Sequence, residues 1–211
     1  QIEPANLANE LGGLCDALAK HDQRVIIAAS NVNQVTAESE AYLKQLAKHE
    51  IPYFRMEYYR YDFDQPLLPQ LDAFTVQATK LAELCAALGV TALYQNHAGR
   101  NYVGAALWDL QRVLSEIDPG HLAAALDIRH TTLELSQSYE AGYKAIRPQL
   151  GATYVKDYDW IDGKAANVPL GQGRAKPLFD LVKRDGFIGP LSLHMEYIDH
   201  RDETLLEKCW E

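Results

Sequence analysis

The chain has 211 residues, enough for one large domain or two small ones, and a hydrophobic fraction of 47% with no repetitive polar tract, which excludes a disordered protein. Its net charge of -9 repels phosphate backbones, so nucleic-acid binding is not expected. Cys15, Cys85 and Cys209 stand apart without a C-x-x-C pair and read as reduced thiols of a cytoplasmic protein, and no apolar run approaches the roughly 18 residues that span a bilayer.

Short apolar runs alternate with helical patterns along the chain. "QIE" opens it, in place of a basic and then apolar leader. A helix is predicted over 6–21, where Leu7, Leu11, Leu14 and Leu18 recur at three- and four-residue spacing. "RVIIAAS" (24–30) predicts a strand, 38–49 a helix, and "YFRMEYY" (53–59) an aromatic-rich strand. A long helix over 67–88 is stopped by Gly89, as expected just past a helix end. Then come strand 91–97, helix 104–116, strand 121–127, helix 136–149, strand 152–158, helix 177–185 and strand 190–197.

Strands separated by helices pair in parallel, because each crossover returns the chain to the same end of the sheet. An open doubly wound sheet gathers its functional residues at one switch point, whereas a barrel gathers them from many strand ends around one mouth. Asn31, the 59–61 segment, Gln95 to His97, Asp127 to His130, Lys156 to Tyr158 and His194 to Glu196 all fall at strand ends. Six polar strand ends favour a parallel (β/α)8 TIM barrel that forms one domain over residues 1–211.

Residues two apart in a strand share a face. Gln95 with His97, Tyr154 with Lys156, and His194 with Glu196 are therefore paired in direction, while "LDIRH" sets Asp127 at a strand end with His130 on the following loop. Carboxylates with imidazoles suit a divalent ion such as Mn2+, Mg2+, Co2+ or Zn2+, which would polarise an oxygen while a neighbouring base moves a proton. The plainer alternatives are strand-end histidines that only hydrogen-bond, a Lys156–Asp157 ion pair, and tyrosines 58, 59 and 61 packed under a loop instead of stacking on a sugar. The Gly pair in "PLGQGR" (169–174) reads as a turn, since no Lys-Ser/Thr follows it to make a phosphate cradle.

"YQNHAG", "LDIRH", "YVKDY", "PLGQGR" and "GPLSLHMEYI", in this order, resemble the strand-end elements of the sugar phosphate isomerase/epimerase superfamily, the xylose isomerase-like TIM barrels. The resemblance implies a metal held by four strand-end side chains, two of which serve as acid and base on a sugar. Asp127 and Glu196 match two ligand positions, and His130 matches a substrate-contacting histidine. Gln95 stands where a Glu is usual and Tyr154 where a His is usual, so His97 or His194 would have to fill the vacancies. The metal set expected on this basis is Asp127, Glu196, Gln95 and His194. Glu196, Lys156 and His130 are the expected catalytic residues, with Lys156 a cationic donor to an enolate. Asn96, His97, Arg55 and Tyr154 are the expected substrate contacts.

By the same resemblance the chain lacks the first β/α unit and ends soon after the eighth strand, as a fragment would. The implied activity is a metal-assisted isomerase or epimerase acting on a sugar or sugar phosphate by proton transfer next to a carbonyl, in a possible homo-oligomer. The alternatives are a non-catalytic sugar-binding barrel with a degenerate metal site and a metal-dependent phosphodiesterase of the apurinic endonuclease kind.

Overall fold

The computed structural model describes residues 6–199, 201 and 204–208. Six strands form one all-parallel sheet in chain order: β1 (Ile27–Ala29), β2 (Tyr53–Arg55), β3 (Thr91–Gln95), β4 (Leu122–Asp127), β5 (Leu150–Val155) and β8 (Leu191–Leu193). The helices α1 (Leu7–Ala19), α2 (Ala37–Lys48), α3 (Leu67–Leu88) and α4 (Trp108–Leu114) follow the expected alternation. The sheet curls, so that Arg24, Ile26 and Ile27 before and in β1 and residues 190–192 at β8 line one cleft of about 390 Å³. This is the curved parallel sheet of a partial TIM barrel. The opening "QIE" segment and Cys209 lie outside the described residues.

Alternation along the strands divides the protein into two apolar layers. Ala92, Tyr94, Leu122, Ala124, Leu126 and Val155 belong to the large core between sheet and helices. Leu93, Ala123, Ala125, Ala152 and Tyr154 form a smaller cluster on the concave face. Because side chains repeat with period two, that face continues upward into Gln95 on β3 and Asp127 on β4, and Lys156 follows Tyr154 at the end of β5.

Several expectations need correction, beginning with the strands predicted over 53–59 and 190–197, which stop at Arg55 and Leu193, so that His194 and Glu196 lie just beyond β8. The 104–116 helix begins only at Trp108, since Gly104 (φ 92°) and Leu107 (φ 59°) adopt left-handed backbone that no helix accommodates. His130 sits in the first turn of a helix, α5 (Ile128–Leu135), and not on a loop. The Asp127 carboxylate caps that helix by accepting from the His130 backbone N–H at 3.0 Å. The 136–149 helix is α-helical only over α6 (Tyr139–Ile146), with single 3-10 turns at Ser136–Ser138 and Arg147–Gln149 on either side. The 152–158 strand is two strands: β5 leaves the sheet at Lys156, and β6 (Asp157–Ile161) pairs antiparallel with β7 (Lys164–Val168) around Asp162-Gly163. Both turn residues have positive φ, 51° and 74°, the geometry that favours Asp-Gly in tight hairpins.

After the hairpin, residues 169–174 make the expected turn, and α7 (Lys176–Arg184) leads back to β8. One carboxylate organises this return. Asp157 is 1% exposed and accepts four backbone N–H groups, those of Tyr158 and Ala175 on Oδ1 and those of Gly171 and Gly173 on Oδ2. The glycine pair thus wraps a buried side chain. A final helix, α8, spans Leu205–Lys208.

Candidate active site

The ends of β3, β4 and β5 bring residues far apart in the chain into one hydrogen-bonded chain across the mouth. Arg55 donates to Gln95 Oε1 at 3.4 Å, and Tyr58 donates to the same oxygen at 3.1 Å. The other end of the amide, Gln95 Nε2, donates to Asp127 Oδ2 at 2.8 Å. Lys156 Nζ lies 3.1 Å from Asp127 Oδ2 and 3.0 Å from Glu196 Oε1. His194 Nδ1 is 3.5 Å from the same Glu196 oxygen, and Asn167 of β7 donates to the other at 3.3 Å.

Depth grades this network. Asp127, Gln95, Tyr154 and Lys156 are buried, whereas the Glu196 side chain is 48% exposed. Contact with His194 first, and then with Lys156, holds the Glu196 carboxyl well below the usual carboxylate range despite the opposing effect of partial burial. Glu196 is therefore the accessible anion of the mouth, ionised across the neutral range.

Beside it, His130 is 4% exposed, and burial pushes its imidazole down to about 2. Arg129 Nη1 approaches His130 Nδ1 at 3.4 Å. A guanidinium only donates, so this contact assigns the ring proton to Nε2. That buried Nε2 has no hydrogen-bond partner and stands 3.7 Å from Asp127 Oδ2. His97 is also lowered, chiefly by burial, and its ring lies 3.9 Å from the His130 ring and 4.5 Å, stacked, from Tyr102. Tyr58 meets His97 and Tyr102 edge-on at 5.2 and 5.1 Å. The mouth therefore has an ionic half, Asp127–Lys156–Glu196, and an aromatic half of neutral rings.

The expected residues separate by what they touch. Asp127, Gln95, Lys156, Glu196, His194, His130 and Arg55 belong to this constellation. Tyr154 packs on the His194 ring at 4.8 Å, and burial pushes its phenol up to about 12. Asn96 is 1% exposed with both ends of its amide engaged, accepting from Asp127 N at 2.7 Å and donating to Thr131 Oγ1 at 3.0 Å. It positions Asp127 from behind. Of the three tyrosines, only Tyr58 reaches the site, for Tyr59 is 2% exposed against Phe74 and Tyr94, and Tyr61 donates to Asp109.

Asn167 and Tyr102 escape the sequence reading. Asn167 arrives on a hairpin that the Asp162-Gly163 pair could have signalled, whereas nothing local marks Tyr102.

The side chains at the mouth do not form the donor set of a divalent ion. Among the described residues, no cluster of three His, Cys, Asp or Glu side chains is disposed to hold a metal. The Gln95 carbonyl oxygen, the amide's coordinating atom, is committed to Arg55 and Tyr58, and its N–H faces Asp127. Tyr154 is a neutral phenol at ordinary pH, which is a poor ligand. The residues as arranged do not fit such an ion, and no step below passes through one.

A cavity of about 980 Å³ lies away from this chemistry, between α1, β1 and α2, and meets the site at Arg55.

A profile of the xylose isomerase-like TIM barrel matches residues 59–209. No curated protein matches the chain in sequence. Among solved structures the fold is shared with 3-keto-D-glucoside 4-epimerase from E. coli, at 16% identity and TM-score 0.69 over 100% of this chain and 87% of that one. It is shared with a D-tagatose 3-epimerase-like protein at 13% identity and TM-score 0.71, over 99% and 82% of the two chains. A probable 3-DHS dehydratase from Bacillus anthracis gives 17% identity and TM-score 0.69, over 97% and 83%. The profile covers most of the chain, and with the parallel strand order it shows that the chain belongs to the xylose isomerase-like TIM-barrel family.

Proposed function

We propose that the chain is a sugar isomerase or epimerase that moves a proton next to a carbonyl, with Glu196 as the base. The observation that carries this reading is the pairing of one exposed, ionised carboxylate with a buried ammonium 3.0 Å away at the mouth of the barrel. The neighbours named as a 3-keto-D-glucoside 4-epimerase and a D-tagatose 3-epimerase-like protein support the substrate class.

In the proposed step Glu196 takes the proton from the carbon beside the carbonyl, and the C–H electron pair moves onto the carbonyl oxygen as an enolate. Lys156 stabilises that oxygen by a charge-assisted hydrogen bond. A base held so far below its usual range is weak, which costs rate. The hydroxyl on the deprotonated carbon passes its proton to the enolate oxygen and becomes the new carbonyl, and return of the carbon-bound proton from Glu196 to the former carbonyl carbon gives the isomer.

One base suffices for isomerisation, whereas epimerisation by two bases needs a second carboxylate opposite the first. Gln95 stands there and an amide does not take up a proton near neutral pH. Isomerisation is therefore the favoured branch. His130 Nε2–H, buried and unpartnered, and the ring wall of Tyr58, His97 and Tyr102 suit a polyhydroxylated ligand with one polar and one apolar face.

The test is incubation with a panel of aldoses and ketoses in deuterated water, followed by NMR. Deuterium entering the carbon next to a carbonyl, and lost in Glu196→Gln, is the expected result. No incorporation across the panel would remove the enzymatic reading. The second reading, a sugar-binding barrel without turnover, is favoured by the internal neutralisation of Asp127 and Glu196 by Lys156; it predicts sugar-dependent stabilisation without exchange.

A further inference from the structure

The position that the resemblance gives to a metal ion is not short of positive charge. Lys156 rises from the end of β5 with its side chain 4% exposed, and its Nζ is in contact with both anions of the mouth, Asp127 Oδ2 at 3.1 Å and Glu196 Oε1 at 3.0 Å. A buried carboxylate is tolerated only when paired. Asp127, 0% exposed, has the ammonium, the Gln95 amide N–H and the His130 backbone N–H around it.

The neighbours agree with an ammonium and disagree with a divalent ion. Gln95 is the clearest case, since its oxygen is taken by two donors, Arg55 and Tyr58, which leaves only an orientation with N–H toward Asp127. A cation placed against Asp127 would meet hydrogens there instead of a lone pair. Two further cationic groups, Arg55 and Arg129, border the site through Gln95 and His130. A divalent ion added to this set would face three positive side chains and only two carboxylates.

We propose that Lys156 is the resident cation of this barrel mouth: its ammonium, bridging Asp127 and Glu196, replaces a divalent ion, and an anionic or carbonyl oxygen of the ligand is met by Lys156 directly. An ammonium has three N–H donors, of which the two carboxylates engage two, so one remains for the ligand oxygen. Only the ligand half of this inference rests on the proposed sugar chemistry. The charge half stands on geometry alone and is tested without a substrate.

The experiment takes the full chain dialysed against EDTA and measures metal content by mass spectrometry and thermal unfolding with and without millimolar Mn2+. The wild-type chain is expected to retain far less than one ion per chain and to unfold at the same temperature with or without Mn2+. Lys156→Ala leaves both carboxylates facing each other, and it is expected to acquire a Mn2+-dependent rise in Tm that the wild type lacks, while Lys156→Arg keeps the wild-type indifference.

Stoichiometric metal in the wild type, or a Mn2+-dependent rise of several degrees that Asp127→Asn abolishes, would overturn the proposal. So would a folded Lys156→Ala variant as indifferent to Mn2+ as the wild type. If Lys156→Ala does not fold, the wild-type measurements decide by themselves. Absence of sugar turnover would sink the proposed activity and leave these outcomes untouched, so the two failures are distinguishable.

Discussion

At the scale of single residues, burial converts His130 from a titrating group into a fixed neutral donor, and this has a sign in pH. Its imidazole is lowered to about 2 in the fold and returns to about 6.5 on unfolding. A depressed pKa means that below 6.5 the unfolded chain binds a proton that the folded chain refuses. The stability contribution is therefore fully present above pH 6.5 and is lost as pH falls toward 2. The slope approaches roughly 1.4 kcal/mol per pH unit for this one group. Glu196, also depressed, acts in the same direction below the ordinary carboxylate range. Urea unfolding at pH 7, 6 and 5 should show the decline, and His130→Gln should flatten it between pH 6.5 and 5; an equal slope in the variant would show that another group is responsible.

Gln95 offers the complementary residue-scale prediction. Gln95→Glu replaces the N–H that faces Asp127 with a carboxylate oxygen at a site 3% exposed. Two carboxylates sharing a buried site disfavour joint ionisation. At neutral pH the variant should lose roughly 1–3 kcal/mol of stability. Lowering the pH to 5 should recover part of the loss, because a shared proton relieves the repulsion. A variant as stable as the wild type at pH 7 would mean that Arg55 already compensates the added charge.

At the scale of elements, the loop between β7 and α7 is organised by a side chain from the start of β6. Asp157→Ala leaves four backbone N–H groups without their acceptor, two of them on Gly171 and Gly173. With partial replacement by water the expected cost is roughly 2–4 kcal/mol. Amide exchange at Gly171, Gly173 and Ala175 should rise well above that of the β3–β4 pairing. Gly173 has a second reason to be glycine: an added Cβ would run into the Tyr158 carbonyl and the Asp157 carboxylate. Gly173→Ala should therefore loosen the same loop although no hydrogen bond is removed.

Legibility also varies by element. Long periodic segments were readable, and α3 spans the residues that its pattern predicts and ends at Gly89 with φ 69°. Strand ends were not. The 152–158 run reads as one strand because its apolar and aromatic residues continue through Tyr158, yet the chain leaves the sheet at Lys156. Pairing partners, not local pattern, decide where a strand stops. Similarly, "LDIRH" has the same letters whether Asp127 ends a strand before a loop or caps a helix. Only the hydrogen bond to His130 N distinguishes them.

At the scale of the whole molecule, the concave face is narrow because small residues line it. Ala123, Ala125 and Ala152 are each 0% exposed and let the sheet curl tightly around Leu93 and Tyr154. Enlarging one of them overfills a packed layer. Ala152→Leu should cost about 1–3 kcal/mol in urea unfolding and should also disturb the ends of β4 and β5, and with them the Asp127–Lys156 contact. An unaltered midpoint would show that the concave face has room to spare.

The sequence by itself determined the alternation of strands and helices, the parallel pairing that follows from it, and the collection of polar residues at one end of the strands, because these depend on spacing within short segments. It also singled out Gln95, Asp127, Lys156 and Glu196 as candidates, which the fold brings into contact. The tertiary structure alone decided how they meet: that Lys156 lies between two carboxylates, that the Gln95 amide turns its N–H inward, and that Asn96 braces Asp127 from behind. Those contacts join residues 29 to 40 positions apart, and their geometry is set by strand register and sheet curvature, which no local pattern contains.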